Sequence, residues 1–441
     1  MLYRKIQPYI EKHLTSDSNK ILIIDGARQI GKTYIIRHVG ELLFDNYIEI
    51  NMLQDSLGDR LFENVKTVDD FYFQVSMLAG EKMKEKQNTL IFMDEIQAYP
   101  HLLTLLKFLK QEDKYTYIAS GSLLGVTLAK TSSIPMGSIE VKRMYPLDFE
   151  EFLLSQGFNE IAIGVLRTKF EKLESLDENT HKKVLDLFKK YLLIGGLPDA
   201  VNSFTKDKNI VSVRSIQSEI HEYYAMDATK YDKENKLKIR RIYDLIPSNL
   251  ENKKKRIVVK DIEDIKGKRF ADYQDEFDYL IHAGIALEVK AISTPVFPLI
   301  ESSGKNLLKL YLNDVGILTN ILYRTNIRAV LDDVKSINLG TVYESAVASE
   351  LKAHGFNLFY YDNRTKGEVD YLIDDYDSLS VVPIEVKSGK DYSVHSALNH
   401  FLANEDYNIQ KGYVLSNERE VMQKGKVTYL PIYYIMFFKQ E

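Results

Sequence analysis

The segment Gly26-Ala27-Arg28-Gln29-Ile30-Gly31-Lys32-Thr33 constrains the fold more than any other stretch of the chain. It follows an apolar run, Ile21-Leu22-Ile23-Ile24, and leads into a helix-like stretch, so the loop sits between a strand and a helix. Glycines at both ends let the backbone curl until its N–H groups face inward, and the helix start adds the positive end of its dipole. The result is a cradle for a polyphosphate. Gly26, Ala27, Arg28, Gln29, Ile30 and Gly31 would line it, Lys32 would reach the β- and γ-phosphates of ATP, and Thr33 would hold Mg²⁺.

A second buried run, Thr89-Leu90-Ile91-Phe92-Met93, closes in Asp94-Glu95. Adjacent carboxylates at a strand end suit two jobs: Asp94 steers a water ligand of Mg²⁺, and Glu95 polarises the water that attacks the γ-phosphate. A third strand, Tyr115 to Ala119, ends in Ser120-Gly121-Ser122. Ser120 could sense the γ-phosphate between the other two elements; the plainer reading of the triplet is a solvated turn.

A chain of 441 residues suggests about three domains, each able to bury a core. With 45% apolar and 27% charged residues it has an ordinary globular composition. No stretch approaches the ~20 apolar residues of a membrane span, and Met1-Leu2-Tyr3-Arg4-Lys5 leads to no signal-peptide core. The chain has no cysteine, which excludes disulfides, thiolate metal sites and cysteine nucleophiles. A cytoplasmic protein with no membrane partner is expected. The net charge of −5 gives no global affinity for nucleic acid, so such contacts must be local. The nine histidines show no paired metal spacing, and zinc is not indicated.

Hydrophobic patterning predicts four regions. Residues 1–145 alternate short apolar strands with helix-like segments, the pattern of a parallel sheet covered on both faces. Residues 146–235 read as a helical lid or linker, with a helix from His181 to Leu193 and a sharp break at Gly195-Gly196-Leu197-Pro198 suited to a domain joint. Residues 236–300 hold short helices, including Phe270 to Ala283, and a hairpin around Ile285 to Ile292, the layout of a winged helix. Within them Lys253-Lys254-Lys255-Arg256 reads first as a solvated charge run and second as a phosphate contact. Residues 301–441 form the last region.

Together the loop Gly26 to Thr33, Asp94-Glu95, Ser120-Gly121-Ser122, Tyr145-Pro146-Leu147-Asp148-Phe149-Glu150-Glu151-Phe152 and Gly195-Gly196-Leu197-Pro198 resemble prokaryotic AAA-type ATP-binding proteins over nearly the whole chain. The resemblance implies an α/β fold with a P-loop NTPase core and helical lid, a winged helix, and a C-terminal domain of the restriction-endonuclease-like superfamily. One departure is Gly137-Ser138, where many relatives carry Gly-Arg; Arg143 is a candidate to take that arginine's place, and no arginine finger for an oligomer stands out.

Nucleases of that superfamily use a strand acid, then Glu-x-Lys on the neighbouring strand, often with a helical Glu upstream. The chain matches with Glu344 on a helix from Thr341 to His354, Asp370 in Glu368-Val369-Asp370-Tyr371-Leu372-Ile373, and Glu385 and Lys387 in Val381-Val382-Pro383-Ile384-Glu385-Val386-Lys387. Residues two apart on a strand share a face, so Glu385 and Lys387 belong together. Asp370 and Glu385 would converge on Mg²⁺, Glu344 would complete or orient the metal shell, and Lys387 would position the nucleophile. The expected function is ATP hydrolysis coupled to a nuclease-like domain acting on or binding nucleic acid, DNA rather than RNA. The alternative is a nucleotide-dependent switch whose C-terminal domain binds a partner without cleavage.

Overall fold

A computed structural model describes residues 2–83, 88–125, 127, 137–231, 236–252, 255–302, 307–334, 337–363, 365, 367–389 and 395–440. The chain divides into two compact units: Tyr3–Tyr145 together with His282–Gly284, and Pro146–Ile281 together with Ile285–Glu441.

In the first unit, strands β1 (Ile21–Asp25), β2 (Asn46–Asn51), β3 (Thr89–Asp94), β4 (Thr116–Gly121) and β5 (Ile139–Arg143) form a sheet in the order β2-β3-β4-β1-β5. Every pairing is parallel. Alternate residues explain the continuous apolar runs. Ile21, Ile23, Ile91, Met93, Tyr117 and Ala119 join a core that includes Phe62, Phe71, Leu103 and Leu106. Leu22, Ile24, Leu90, Phe92 and Ile118, which alternate with them, are equally buried. A strand buried on both faces has no polar side to show, and each such side chain contributes about 2 kcal/mol. The helix Lys32–Leu43 starts directly from the loop after β1, with Gly31 in a left-handed conformation at its N-cap.

The second unit opens with helices Phe149–Ser155, Glu160–Glu171, Glu178–Ile194, Pro198–Asp207 and Ile210–Tyr231. Asp148 and Glu151 close the first of these with a reciprocal capping box, and Glu350 accepts the Phe149 N–H at 2.7 Å. The Pro-Leu-Asp-Phe segment is therefore a helix start anchored to a distant carboxylate. The break at Gly195-Gly196 lies inside this unit and is not a joint between domains. Leu147 N–H donates to the Gly196 carbonyl at 2.7 Å, and Gly196 N–H donates to Asp314 at 2.6 Å.

Strands β6 (Ala286–Ile292), β7 (Leu308–Leu312), β8 (Phe359–Asn363), β9 (Gly367–Asp375), β10 (Ser380–Lys387), β11 (Gly412–Ser416), β12 (Met422–Lys424) and β13 (Val427–Pro431) form a mixed sheet in the order β12-β13-β11-β10-β9-β8-β6-β7. The hairpin expected near residues 285–292 returns through β7, beyond residue 300, and β6 also pairs in parallel with β8. A wing standing apart is thus not what β6 forms: its apolar residues are covered because it is an inner strand of the larger sheet. The helix Ser396–Leu402 covers one part of the sheet with Leu398 and Phe401, while the helix Gly340–Ala353 packs against β10 and is buried along most of its length. No helix among the described residues is long and apolar enough to cross a membrane.

Candidate functional site

The loop between β1 and the helix Lys32–Leu43 is shaped by close approach. Gly26 has φ +148°, and a Cβ there would lie 2.4 Å from the Met144 carbonyl oxygen, so a side chain has no room. Gln29 also takes a left-handed conformation. Arg4, which no local motif marks, pins the loop from outside by donating to the Ile30 carbonyl at 2.8 Å and the Tyr145 carbonyl at 2.6 Å. Lys32 Nζ donates to the carbonyls of Gly26 and Ala27 at 2.9 and 2.8 Å, folding the loop over its own ammonium. Gly284, in the same unit, would place a Cβ 3.1 Å from the Ala27 nitrogen, which brings the 282–284 turn against the loop.

The two acids of β3 meet this loop. Thr33 Oγ1 donates to Asp94, 3.1 and 3.0 Å from its two oxygens, and Ser120 also hydrogen-bonds Asp94. Ser120 Oγ accepts from the Glu95 N–H at 3.4 Å. Glu95 accepts from Ser122 at 2.7 Å and from Gln97, and Arg28 Nε donates to Ser122 at 3.3 Å. Ser120 and Ser122 are thus not a solvated turn; both are buried against the acids. Gln97 is the partner that sequence reasoning did not mark. Arg143, at the end of β5, lies 3.8 Å from Asp25 and donates to the His282 carbonyl at 2.9 Å.

Burial sets the electrostatics. It pulls the Lys32 ammonium below the ordinary lysine value, against the pull of Glu95, Asp25 and Asp94. It pushes Asp94 up, opposed by the Ser120 hydrogen bond and reinforced by the neighbouring Glu95 charge. Glu95 goes the other way: Lys32 and the hydrogen bonds from Ser122 and Gln97 outweigh its burial and hold it below the usual carboxylate range, hence ionised. A desolvated cation at the start of a helix and an oxygen-only donor pair suit a polyphosphate with a hard divalent cation.

In the second unit, β9 and β10 are antiparallel neighbours with Tyr371 opposite Ile384, which sets Asp370 close to Glu385. Asp370 accepts the Val386 N–H at 2.8 Å, and Lys387 Nζ donates to Glu385 at 2.7 Å. Glu344 is 3% exposed, and Tyr311 Oη donates to it at 3.2 Å. Tyr371 Oη donates to the Glu344 backbone carbonyl at 2.8 Å. Burial and then the Asp370 charge push Glu344 up, and the same pair of causes pushes Glu385 up to about 8. Glu385 Oε2 is buried with no hydrogen-bond partner among the described residues.

Two lysines outside the motif enter this cluster. Lys255 pairs with Glu344, and Lys309, fully buried on β7, pairs with Glu368 and lies 4.4 Å from the Tyr360 ring centre. Arg256 lies 3.6 Å from Asp362. The basic run is therefore not a solvated face where it is described; Lys255 and Arg256 turn toward carboxylates, and Lys253 and Lys254 lie outside the described residues. Among the described residues no three of His, Cys, Asp and Glu already stand at metal-holding spacing. The donors are nevertheless all carboxylate oxygens, and the orphaned Glu385 oxygen fits a hard cation.

Residues 18–153 match the family model of an AAA domain. Residues 185–328 and 339–435 match two domains of unknown function, DUF8612 and DUF4143. The first unit is accordingly an AAA-type P-loop ATPase domain, an ATP-binding module. Among solved structures the chain is similar to the Walker-type ATPase PABY2304 of Pyrococcus abyssi, at 11% identity and TM-score 0.42, covering 72% of this chain and 95% of that one. It is also similar to the Aeropyrum pernix ORC2 protein, at 12% identity and TM-score 0.39, covering 76% and 96%. A third is the RuvB Holliday junction branch migration motor of Thermotoga maritima, at 13% identity and TM-score 0.29, covering 65% and 89%. Scores this low carry no shared detail. Compared with curated proteins, the chain matches none.

Proposed function

We propose that the chain is a Mg²⁺-dependent ATPase whose nucleotide state is coupled to a nuclease-like C-terminal domain acting on or binding DNA. The observation that carries the ATPase half is the hydrogen-bonded chain from Thr33 through Asp94 to Ser120, which joins three sequence motifs at one end of the parallel sheet. The backbone amides of residues 26–33 receive the phosphates, and Lys32 exchanges its two loop carbonyls for β- and γ-phosphate oxygens. Thr33 and Asp94 hold Mg²⁺, which when bound neutralises charge building on the transferred phosphoryl group. Glu95, kept ionised by its surroundings, orients the attacking water and takes its proton. Ser120, touching both Asp94 and the Glu95 N–H, would report on the γ-phosphate.

For the C-terminal half, the order helix Glu344, strand Asp370, strand Glu385-x-Lys387, then a parallel β11, supports the restriction-endonuclease-like reading. Glu344, Asp370 and Glu385 would hold Mg²⁺, and Lys387 would position the attacking water and offset phosphate charge. Residues 236–300 would contribute helices and β6 to that domain rather than a separate wing. The second reading, a nucleotide-dependent switch that binds without cutting, draws on one observation: the ammonium of Lys255 sits on Glu344.

The deciding experiment combines ATP turnover with cleavage of single- and double-stranded DNA and RNA in Mg²⁺ or Mn²⁺, for wild type, Asp370→Ala and Lys387→Ala. Metal-dependent DNA cleavage lost in both variants supports the cutter. Binding without cleavage moves the protein to the switch reading, and absence of ATP turnover under all conditions overturns the ATPase assignment.

A further inference from the structure

The acid cluster of the second unit is already supplied with positive charge. Four carboxylates, Glu344, Glu368, Asp370 and Glu385, face three ammonium groups, Lys255, Lys309 and Lys387. Lys387 belongs to the strand motif, and Lys309 is wholly enclosed on β7. Lys255 differs. It lies in the segment between the helix Lys236–Glu251 and β6, its side chain keeps 19% of its surface exposed, and its backbone takes φ +45°, a conformation costly for a residue with a Cβ. From there its ammonium is stabilised first by Glu344 and also by Asp370.

We propose that Lys255 is a built-in counter-ion that competes with a divalent cation for the Glu344, Asp370 and Glu385 carboxylates. The inference rests on the nuclease-like reading of those acids. When Lys255 leaves, a divalent ion meets one positive charge fewer and gains the Glu344 oxygen that the ammonium now occupies. The cation class follows from the donors, which are all hard oxygens. The buried, unpartnered Glu385 Oε2 is a further coordination atom that no lysine satisfies.

The test uses full-length, nucleotide-free protein carrying Lys32→Ala, and follows Mn²⁺ binding by electron paramagnetic resonance and calorimetry. Lys255→Met removes the charge and keeps the stem; Lys255→Gln repeats the test should that variant fail to fold. The expected result is one Mn²⁺ site per chain, at least ten-fold tighter than in the Lys255 protein, abolished by adding Asp370→Ala, with Lys255→Arg behaving as the parent. Equal affinity with and without Lys255 overturns the competition and leaves the acids standing as a metal site. No Mn²⁺ site in any folded variant overturns the reading of the acids as metal ligands, and the inference with it.

Discussion

Thr33 Oγ1 lies 3.1 and 3.0 Å from the two carboxylate oxygens of Asp94, a contact between residues 61 positions apart that fixes the first turn of the helix Lys32–Leu43 against the end of β3. It joins the residue after Lys32 to the residue before Glu95, and those two charges act on each other. Lys32→Ala should therefore abolish ATP binding, because it removes the buried ammonium that the loop folds over. Glu95→Gln should still bind ATP and lose about 10²- to 10⁴-fold in turnover. Filter binding with labelled ATP alongside phosphate release separates the two; turnover near wild type in both would remove the site from this end of the sheet.

The loop's own geometry makes a second expectation. Arg4 is 6% exposed, and its two guanidinium nitrogens reach the Ile30 and Tyr145 carbonyls. Hydrogen bonds from a charged donor are worth roughly 1.5–3 kcal/mol. Arg4→Ala should weaken ATP binding about ten-fold or more while leaving the catalytic step largely intact, since both of these bonds go to backbone carbonyls. Calorimetric affinities set against single-turnover rates would check this, and an unchanged affinity would show that the loop holds its shape without Arg4.

What the sequence displays and what it hides follows from the reach of each interaction. The phosphate loop is legible because its chemistry demands glycines, lysine and threonine at fixed local spacing. Asp370 and Glu385-x-Lys387 are legible for a similar reason: strand alternation puts Glu385 and Lys387 on one side. Lys255, Lys309, Tyr311 and Arg4 carry no local signature, because each acts across a long sequence gap and could as well be a surface cation or a core tyrosine. The Gly195-Gly196 pair shows how a true signal can mislead. Two glycines suggest a bend, but a Cβ on Gly195 would meet Asp314 oxygens at 2.1 and 2.4 Å, so the requirement is tertiary. The β6/β7 hairpin is similar: its strands are readable, while its enrolment in the C-terminal sheet depends on β8, far downstream.

That close packing gives a stability prediction. A Cβ on Gly196 would lie 2.0 Å from the Leu147 carbonyl oxygen and 2.6 Å from its nitrogen, both backbone atoms that cannot swing aside. Gly196→Ala must break the Leu147 N–H to Gly196 carbonyl bond or displace the helix Phe149–Ser155 that begins two residues later. A loss of about 3 kcal/mol is expected, at the upper end of overpacking costs. Urea unfolding followed by tyrosine fluorescence would measure it, against Gly164→Ala as a control, where a Cβ meets nothing within 4 Å. Equal midpoints for the two variants would refute the account of the motif.

Asp314 supplies the last prediction, because it is both cap and charge in a buried place. Its carboxylate accepts Ile317 N–H at 3.0 Å at the start of the helix Val315–Tyr323, and Gly196 N–H at 2.6 Å. Burial nevertheless dominates these hydrogen bonds and raises the group from 3.8 to about 6. The folded state thus holds its proton more tightly than the unfolded chain does. The associated stability is fully present below about pH 4 and is lost as pH rises through about 6, a change of about 3 kcal/mol for a shift of this size. Asp314→Asn removes the titration, although its amide nitrogen cannot accept the second N–H, so the variant is less stable throughout. The wild-type advantage over Asp314→Asn should therefore shrink by up to about 3 kcal/mol between pH 4 and pH 7. Denaturant midpoints for the pair across that range decide it: a constant difference would mean that Asp314 ionises as freely in the fold as outside it.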